Sequence, residues 1–248
     1  MSVPGHHNVA MVTGAAGGLG GVIVRCLAAK GYRVLAADIA GDAIEAFTAD
    51  AGDRVIPHQL DVTDKAAFAA ALDRARAEWG GVGVLVNNAA ITRTTPVFDI
   101  APEEFDLVTG VALKGTFIGC QVVGAHMREH GYGRIVNIAS LAGQNGGTST
   151  GAHYAAAKGG ILTLTKVFAR ELAASGVTVN AISPGPLNLD SVRSLLPPEK
   201  LAAVVGTIPA GTLGDPAYIA EMVTMLASPQ ATSAIGAAFD INGGLFMR

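Results

Sequence analysis

The sequence predicts an α/β fold: one doubly wound parallel sheet of about seven strands with helices on both faces. Three observations predict it. Short apolar runs alternate with longer segments of helical periodicity along the whole chain. A glycine-rich loop, Thr13-Gly14-Ala15-Ala16-Gly17-Gly18-Leu19-Gly20, joins the first apolar run to the first helical segment. The second apolar run ends in an acidic residue, Asp38, about 20 positions beyond those glycines.

The elements follow in order. Val9 to Val12 forms the apolar centre of a strand expected over 9–13. A helix is expected over 18–29, because Leu19, Val22, Ile23, Cys26 and Leu27 recur at helical spacing and define one inward face. Next come a strand over 33–38, a helix over 41–50 and a strand over 54–60. The helix over 64–79 closes at Trp79, read as a packing residue, before Gly80-Gly81. A strand over 83–87, a long helix over 103–129 and a strand over 133–139 follow. The Ala-, Leu- and Lys-rich stretch after Gly151 predicts a helix over 153–174. A strand over 177–182, a helix over 215–227 and a strand over 237–241 complete the alternation. The long irregular stretch 186–216 is expected to hold a short helix near 190–205 and to act as a lid. No linker, repeat or low-complexity segment interrupts the chain, so 1–248 is expected to be a single domain with that lid.

Composition narrows the function classes. Half of the residues are hydrophobic and only 15% are charged, enough to bury strands on both faces. The net charge of −3 carries no basic stripe and argues against nucleic acid. No run approaches the ~20 apolar residues of a membrane span, and residues 1–8 show no signal-peptide pattern. Cys26 and Cys120 fall in separate helices and read as buried, reduced thiols, which suits the cytoplasm.

The chemistry concentrates in a few motifs. A glycine loop between a strand and a helix lets a pyrophosphate approach backbone amides at a helix N-terminus. Asp38 stands where such a fold holds the adenine ribose hydroxyls. Its charge would repel a 2′-phosphate, and neither Gly17 nor Ile39 is basic, so the expected cofactor is NAD. Tyr154 and Lys158 lie four apart on one helix, hence on one face. A free tyrosine has a pKa near ~10, and a lysine cation beside it is expected to lower it toward the working range.

The chain resembles the short-chain dehydrogenases/reductases over nearly its whole length, and within them the 3-oxoacyl-carrier-protein reductase type. Thr-Gly-x-x-x-Gly-x-Gly is that family's form of the loop. Asp61-Val62 resembles its adenine-contacting pair, and Asn87-Asn88-Ala89-Ala90 its Asn-Asn-Ala-Gly turn. Gly133 to Ser140 resembles the strand ending in the catalytic serine, 14 residues before Tyr154. That is one more than is common, which places an extra residue in the loop 143–151. Pro184-Gly185 resembles the loop beside the nicotinamide, and Asp240-Ile241-Asn242-Gly243-Gly244 the C-terminal turn.

The resemblance implies a Rossmann-type fold and hydride transfer between nicotinamide and a secondary alcohol or ketone. It implies Ser140, Tyr154 and Lys158 as the catalytic group. It implies Gly14, Gly18, Leu19, Gly20, Asp38, Asp61, Val62, Asn88, Ala89, Ala90, Pro184, Gly185 and Leu187 as further cofactor contacts. A 3-oxoacyl-thioester reductase is the alternative substrate reading. A weakly catalytic NAD-binding subunit or sensor is the alternative of another class.

Three departures from the family pattern stand out. Ala112 stands for an active-site asparagine, Leu189 for a threonine, and Gly131 and Ser175 for the basic residues that dock a carrier protein. The resemblance also implies a homotetramer built on the helices containing Lys114 and Tyr154 and on the C-terminal segment, where Phe246-Met247 would be buried. Leu187, Leu189, Val192, Leu195 and Leu196 suggest an apolar substrate portion, with polar contacts from Asn145, Thr148 and Ser149.

The remaining polar residues have plainer readings. His126 and His130 read as a solvated helix face, and Arg128, Glu129 and Arg134 as surface charge. His153 points about 100° away from Tyr154 and receives no catalytic role. No metal site is expected.

Overall fold

The structure, a computed structural model, describes residues 5–147, 150–194 and 197–248. Among the described residues, seven strands pair into one sheet: β1 (Val9–Thr13), β2 (Arg33–Asp38), β3 (Val55–Gln59), β4 (Val84–Asn87), β5 (Gly133–Ile138), β6 (Val177–Pro184) and β7 (Ala238–Ile241). Their spatial order is β3-β2-β1-β4-β5-β6-β7, every pair parallel.

The helices are α1 (Gly18–Ala29), α2 (Gly41–Ala49), α3 (Lys65–Trp79), α4 (Pro102–Thr109), α5 (Gly115–His130), α6 (Ala142–Asn145), α7 (Ala152–Leu172), α8 (Asp190–Arg193), α9 (Pro198–Thr207) and α10 (Pro216–Ala227). Successive side chains on a strand point to opposite faces, which splits the core in two. Val9 and Met11 pack with Phe68, Val123, Met127 and Leu172 on the face of α3, α5 and α7. Ala10 and Val12 pack with Ile23, Leu27, Ile219 and Val223 on the face of α1 and α10. Both faces are covered, so the central strands are mostly apolar, and the polar residues they carry, Asn87, Arg134 and Asn137, are buried.

The chain order reverses between β1 and β4. The loops leaving these two strands part to opposite faces, opening a crevice at the strands' C-terminal ends. Local signals set the helix limits. Asp64 caps α3 by accepting from the N–H groups of Ala66 and Ala67, and Gly80 ends it at φ 85°.

The expected helix over 103–129 is present but interrupted. Gly110–Lys114 forms a π-type turn between α4 and α5. Together they span Pro102–His130, long and apolar enough by composition to cross a membrane, though half of its most apolar 18 residues are buried in the fold. The expected helix near 190–205 is two helices instead, because Pro197-Pro198 starts a new one with proline at its first turn. Helix α6, absent from the sequence reading, follows β5 directly.

Several surface assignments are corrected. Arg134 is 3% exposed. Its guanidinium donates to the carbonyls of Gly133, Gly176, Ser228 and Pro229 at 2.8–3.3 Å and lies over the Tyr132 ring. His126 is likewise buried: its Nε2 accepts from the Val82 N–H at 3.2 Å, and Arg76 approaches Nδ1. His6 and His130 pack beside it. Burial holds His126 well below the usual histidine range, at about 4. Cys120 is buried as expected and its thiol pushed up to about 12, whereas Cys26 is only half-buried, beside Glu221. Met247 is largely exposed on the single chain.

Candidate active site

The glycine loop bends as its sequence requires. Gly14 (φ 65°) and Gly18 (φ 52°) adopt left-handed backbone that a side chain would strain. A Cβ on Gly20 would lie 2.0 Å from the Gly14 carbonyl oxygen, so loop and helix can close on each other only through glycine. Helix α1 has no side-chain cap and no acidic residue in its first turn. Its first N–H groups therefore retain the positive end of the helix for an anion.

The turn after β4 braces this loop. Asn88 Nδ2 donates to the carbonyls of Thr13 and Gly14, both at 3.0 Å, and the N–H groups of Asn88 and Ala89 donate to Thr13 Oγ1. At the end of β2 the Asp38 carboxylate accepts from the N–H groups of Ala16 and Ala40 at 3.0 and 3.1 Å. The carboxylate is thereby fixed beside the glycine loop.

Beneath the site runs a buried polar ladder. Asn137 on β5 accepts from Asn87 Nδ2 at 2.9 Å and donates to Thr165 Oγ1 on α7 at 3.0 Å. It ties α7 to β4 and β5, with every side chain paired.

Ser140, Tyr154 and Lys158 converge at the mouth of the crevice. The Tyr154 hydroxyl is hydrogen-bonded to Ser140 and to Thr92. Ser140 Oγ also accepts from the Ala142 N–H at 3.1 Å. Lys158 is 2% exposed, and its Nζ donates to the Ile138 carbonyl at 2.6 Å, 5.6 Å from the Tyr154 ring centroid. Burial lowers the Lys158 pKa to about 8.

The sign of the Tyr154 shift corrects the sequence expectation. Burial raises the phenol above its ordinary value, and the hydrogen bonds from Ser140 and Thr92 only oppose this. Removing a phenolate from water is the dominant effect, larger than those hydrogen bonds.

These groups line one cleft of about 910 Å³. Of the expected contacts, Gly14, Leu19, Gly20, Asp38, Asn88, Ala89, Ala90, Ser140, Tyr154, Lys158, Pro184, Gly185 and Leu187 all border it. Gly18, Asp61 and Val62 do not border it. Gly18 shapes the turn, Asp61 accepts from Thr63, and Val62 packs in the core.

Leu189 and Val192 line the cleft with Leu201 and Val204 from α9, which gives it an apolar outer wall. Asn145 also reaches it. Leu195, Leu196, Thr148 and Ser149 lie outside the described residues. Asn188 accepts from Arg193 Nε at 2.8 Å. Ala112 sits in the π-type turn, fully buried against Ala139, Ala157 and Ile161, so its methyl packs where the expected polar group would stand.

Sequence reasoning missed Thr92 and Thr150, which border the cleft. Thr92 carries a signal after the fact: it lies two residues past Ala90, on the turn leaving β4 toward the site. His153, placed away from the chemistry, is fully buried beside it.

The donor set fits a dinucleotide: an uncapped helix start, a carboxylate after the second strand and a buried ammonium at the far end. Comparison with known proteins agrees. Residues 14–246 match a family described as enoyl-(acyl carrier protein) reductase. An acetoacetyl-CoA reductase of Shinella zoogloeoides is 40% identical over 242 residues, 96% of this chain and 98% of that protein. One of Rhizobium meliloti matches equally, at 40% over 242 residues with the same coverage. A 3-oxoacyl-(acyl-carrier-protein) reductase of Vibrio cholerae is 38% identical over 239 residues, covering 96% and 97% of the two chains.

Proposed function

The chain belongs to the short-chain dehydrogenase/reductase family of oxidoreductases, and from that premise we propose that it interconverts a secondary alcohol and a ketone with NAD(H), Tyr154 moving the proton. One observation carries this reading. A phenol, a hydroxyl and a buried ammonium meet at the end of the cleft whose other end holds the glycine loop and Asp38.

When bound, the nicotinamide supplies the hydride for reduction or takes it in oxidation. The protein's own groups do the rest. The glycine loop and the start of α1 would hold the phosphates, and Asp38 the adenine ribose hydroxyls. Lys158 spends one N–H on Ile138 and would offer its others to the nicotinamide ribose. Ser140 would hydrogen-bond the substrate oxygen and hold it against Tyr154. With its pKa raised, Tyr154 is protonated at neutral pH and ready to donate to a ketone oxygen.

For the substrate, a 3-oxoacyl thioester is the reading supported by the names of the three relatives. The apolar outer wall from Leu189, Val192, Leu201 and Val204 suits an acyl chain. Gly131 and Ser175 offer no cation to an acidic carrier protein, so we favour the coenzyme A ester. The segment 186–216 would act as the lid of a single catalytic domain spanning 1–248.

We further propose a cytoplasmic homotetramer. Its support is the free thiols and the exposed apolar side chains of Phe105, Phe117 and Val167 on α4, α5 and α7. Light scattering on the purified protein checks the assembly. The chemistry is tested by absorbance at the reduced-nicotinamide band, with NADH or NADPH and a panel containing acetoacetyl-CoA, free 3-keto esters and simple ketones. Fastest turnover is expected with acetoacetyl-CoA and NADH. Tight NADH binding without turnover on any of them would favour the non-catalytic subunit or sensor instead.

A further inference from the structure

Tyr154 is held from behind as well as from the front. Helix α7 starts at Gly151 without a side-chain cap, which leaves its first N–H groups short of partners. His153 supplies one: its Nδ1 accepts the Tyr154 backbone N–H at 2.9 Å. That bond fixes the tautomer of the neutral ring, because an accepting Nδ1 carries no proton and the proton must sit on Nε2. There it donates to Glu104 Oε1 at 2.8 Å.

Glu104 lies on α4 and also accepts from Thr95 Oγ1 at 2.7 Å. Two residues before Thr95, the Arg93 carbonyl accepts the Gly151 N–H at 2.8 Å. One residue earlier again is Thr92, which bonds the Tyr154 hydroxyl. Gly151 completes the seat, since a Cβ there would lie 2.3 Å from His153 Cε1. Its φ of −66° is ordinary, so the glycine is required for space and not for conformation.

We propose that His153 and Glu104 form a positioning pair for Tyr154. The carboxylate orients the imidazole, the imidazole fixes the first turn of α7, and that turn aims the phenol at Ser140 and Thr92. Neither member of the pair borders the cleft. The inference rests on the proton-transfer role of Tyr154. A displacement of about 1 Å at a reacting group can cost up to ~100-fold in rate.

Two shape-matched variants separate the halves of the pair. In His153→Asn the amide oxygen replaces Nδ1 and keeps the Tyr154 bond. In His153→Gln the amide nitrogen replaces Nε2 and keeps only the Glu104 bond. We expect kcat to fall about 10- to 100-fold in His153→Gln, with NADH affinity within about twofold. His153→Asn should stay within about threefold of wild type, and Glu104→Ala should resemble His153→Gln. Wild-type kcat in His153→Gln, or equal losses in the Gln and Asn variants, would overturn the proposal. So would a loss of NADH binding as large as the loss of kcat.

Tyr154→Phe, assayed alongside, isolates the underlying reading: if it keeps turnover, the proton-transfer role is wrong. The positioning claim is then decided without turnover, by the ring resonances of 13C-tyrosine-labelled protein. The Tyr154 signal should move in His153→Gln and remain in place in His153→Asn. An unmoved signal in His153→Gln, or a variant that fails to fold while Glu104→Ala folds with an unmoved signal, would contradict it.

Discussion

Two buried cations occupy opposite ends of the same sheet, and the comparison between them separates architecture from chemistry. Arg134, at the start of β5, is 3% exposed and meets four carbonyls. Lys158, beyond the end of β5, is 2% exposed and has one acceptor among the described residues, the Ile138 carbonyl. A buried charge is costly unless its donors are met. Arg134 meets that condition within the chain and so stabilises the joint between β5 and the segments after α7 and α10. Lys158 does not, and its lowered pKa records the cost. A cation left short of partners at the wall of a cleft is poised for something that binds there.

The largest expected effect breaks the Lys158 side of the comparison. Lys158→Met should reduce turnover by about 1,000-fold, in line with loss of a group acting on both cofactor and proton transfer. It should leave the thermal midpoint unchanged or raised. At pH 7 the folded state carries the full cost of charging a lysine of pKa about 8, and methionine removes it. A sharp fall in midpoint would make Lys158 a structural residue.

The reciprocal change, Arg134→Met, should lose about 3 kcal/mol of stability, because several buried carbonyls lose their donor together. Denaturant unfolding reads this, and turnover per folded molecule should be unchanged.

A third prediction uses the histidines at the Arg134 end. His126 is held near 4 in the folded chain by burial, with His130 and Arg76 adding to it. In the unfolded chain it returns to about 6.5. As pH falls, the unfolded chain therefore takes the proton first. Stability is full above about 6.5, declines down to about 4 and levels off below, by up to about 3 kcal/mol. His6 and His7 shift in the same direction and deepen the decline. His126→Gln should flatten that slope in unfolding curves between pH 7 and 4; an unchanged slope would contradict the assignment.

The smallest effect concerns cofactor choice. Asp38→Ala should reduce the preference for NADH over NADPH by about tenfold in kcat/KM, roughly 1.4 kcal/mol of lost discrimination. An unchanged ratio would remove the charge argument for NAD.

The same contrast explains what was legible in the sequence. The active-site end is written in short segments: Gly14 to Gly20, Asn88 to Ala90, and Tyr154 with Lys158. Each carries its chemistry in adjacent residues or along one helix face, so spacing reveals it. The strands were readable for the same reason, since alternate residues of Val9–Val12 serve opposite cores.

The Arg134 end is written at a distance. The carbonyls that satisfy Arg134 include those of Ser228 and Pro229, more than 90 positions later. Nothing near Arg134 announces them, and an arginine without visible partners reads as surface. His126 fails alike, because its partners Val82 and Arg76 precede it by 44 and 50 positions. The sign of the Tyr154 shift was illegible for a different reason. Spacing gives the lysine, but the depth of burial that sets the sign is a property of the folded cleft.

The most direct test compares wild type with Tyr154→Phe for NADH oxidation in the presence of acetoacetyl-CoA, with NADH binding measured separately. The account predicts turnover in the wild type, a loss of about 100- to 10,000-fold in the variant, as expected for removing a general acid, and nearly unchanged NADH affinity. Turnover by Tyr154→Phe close to wild type would contradict the assignment of the proton to this phenol.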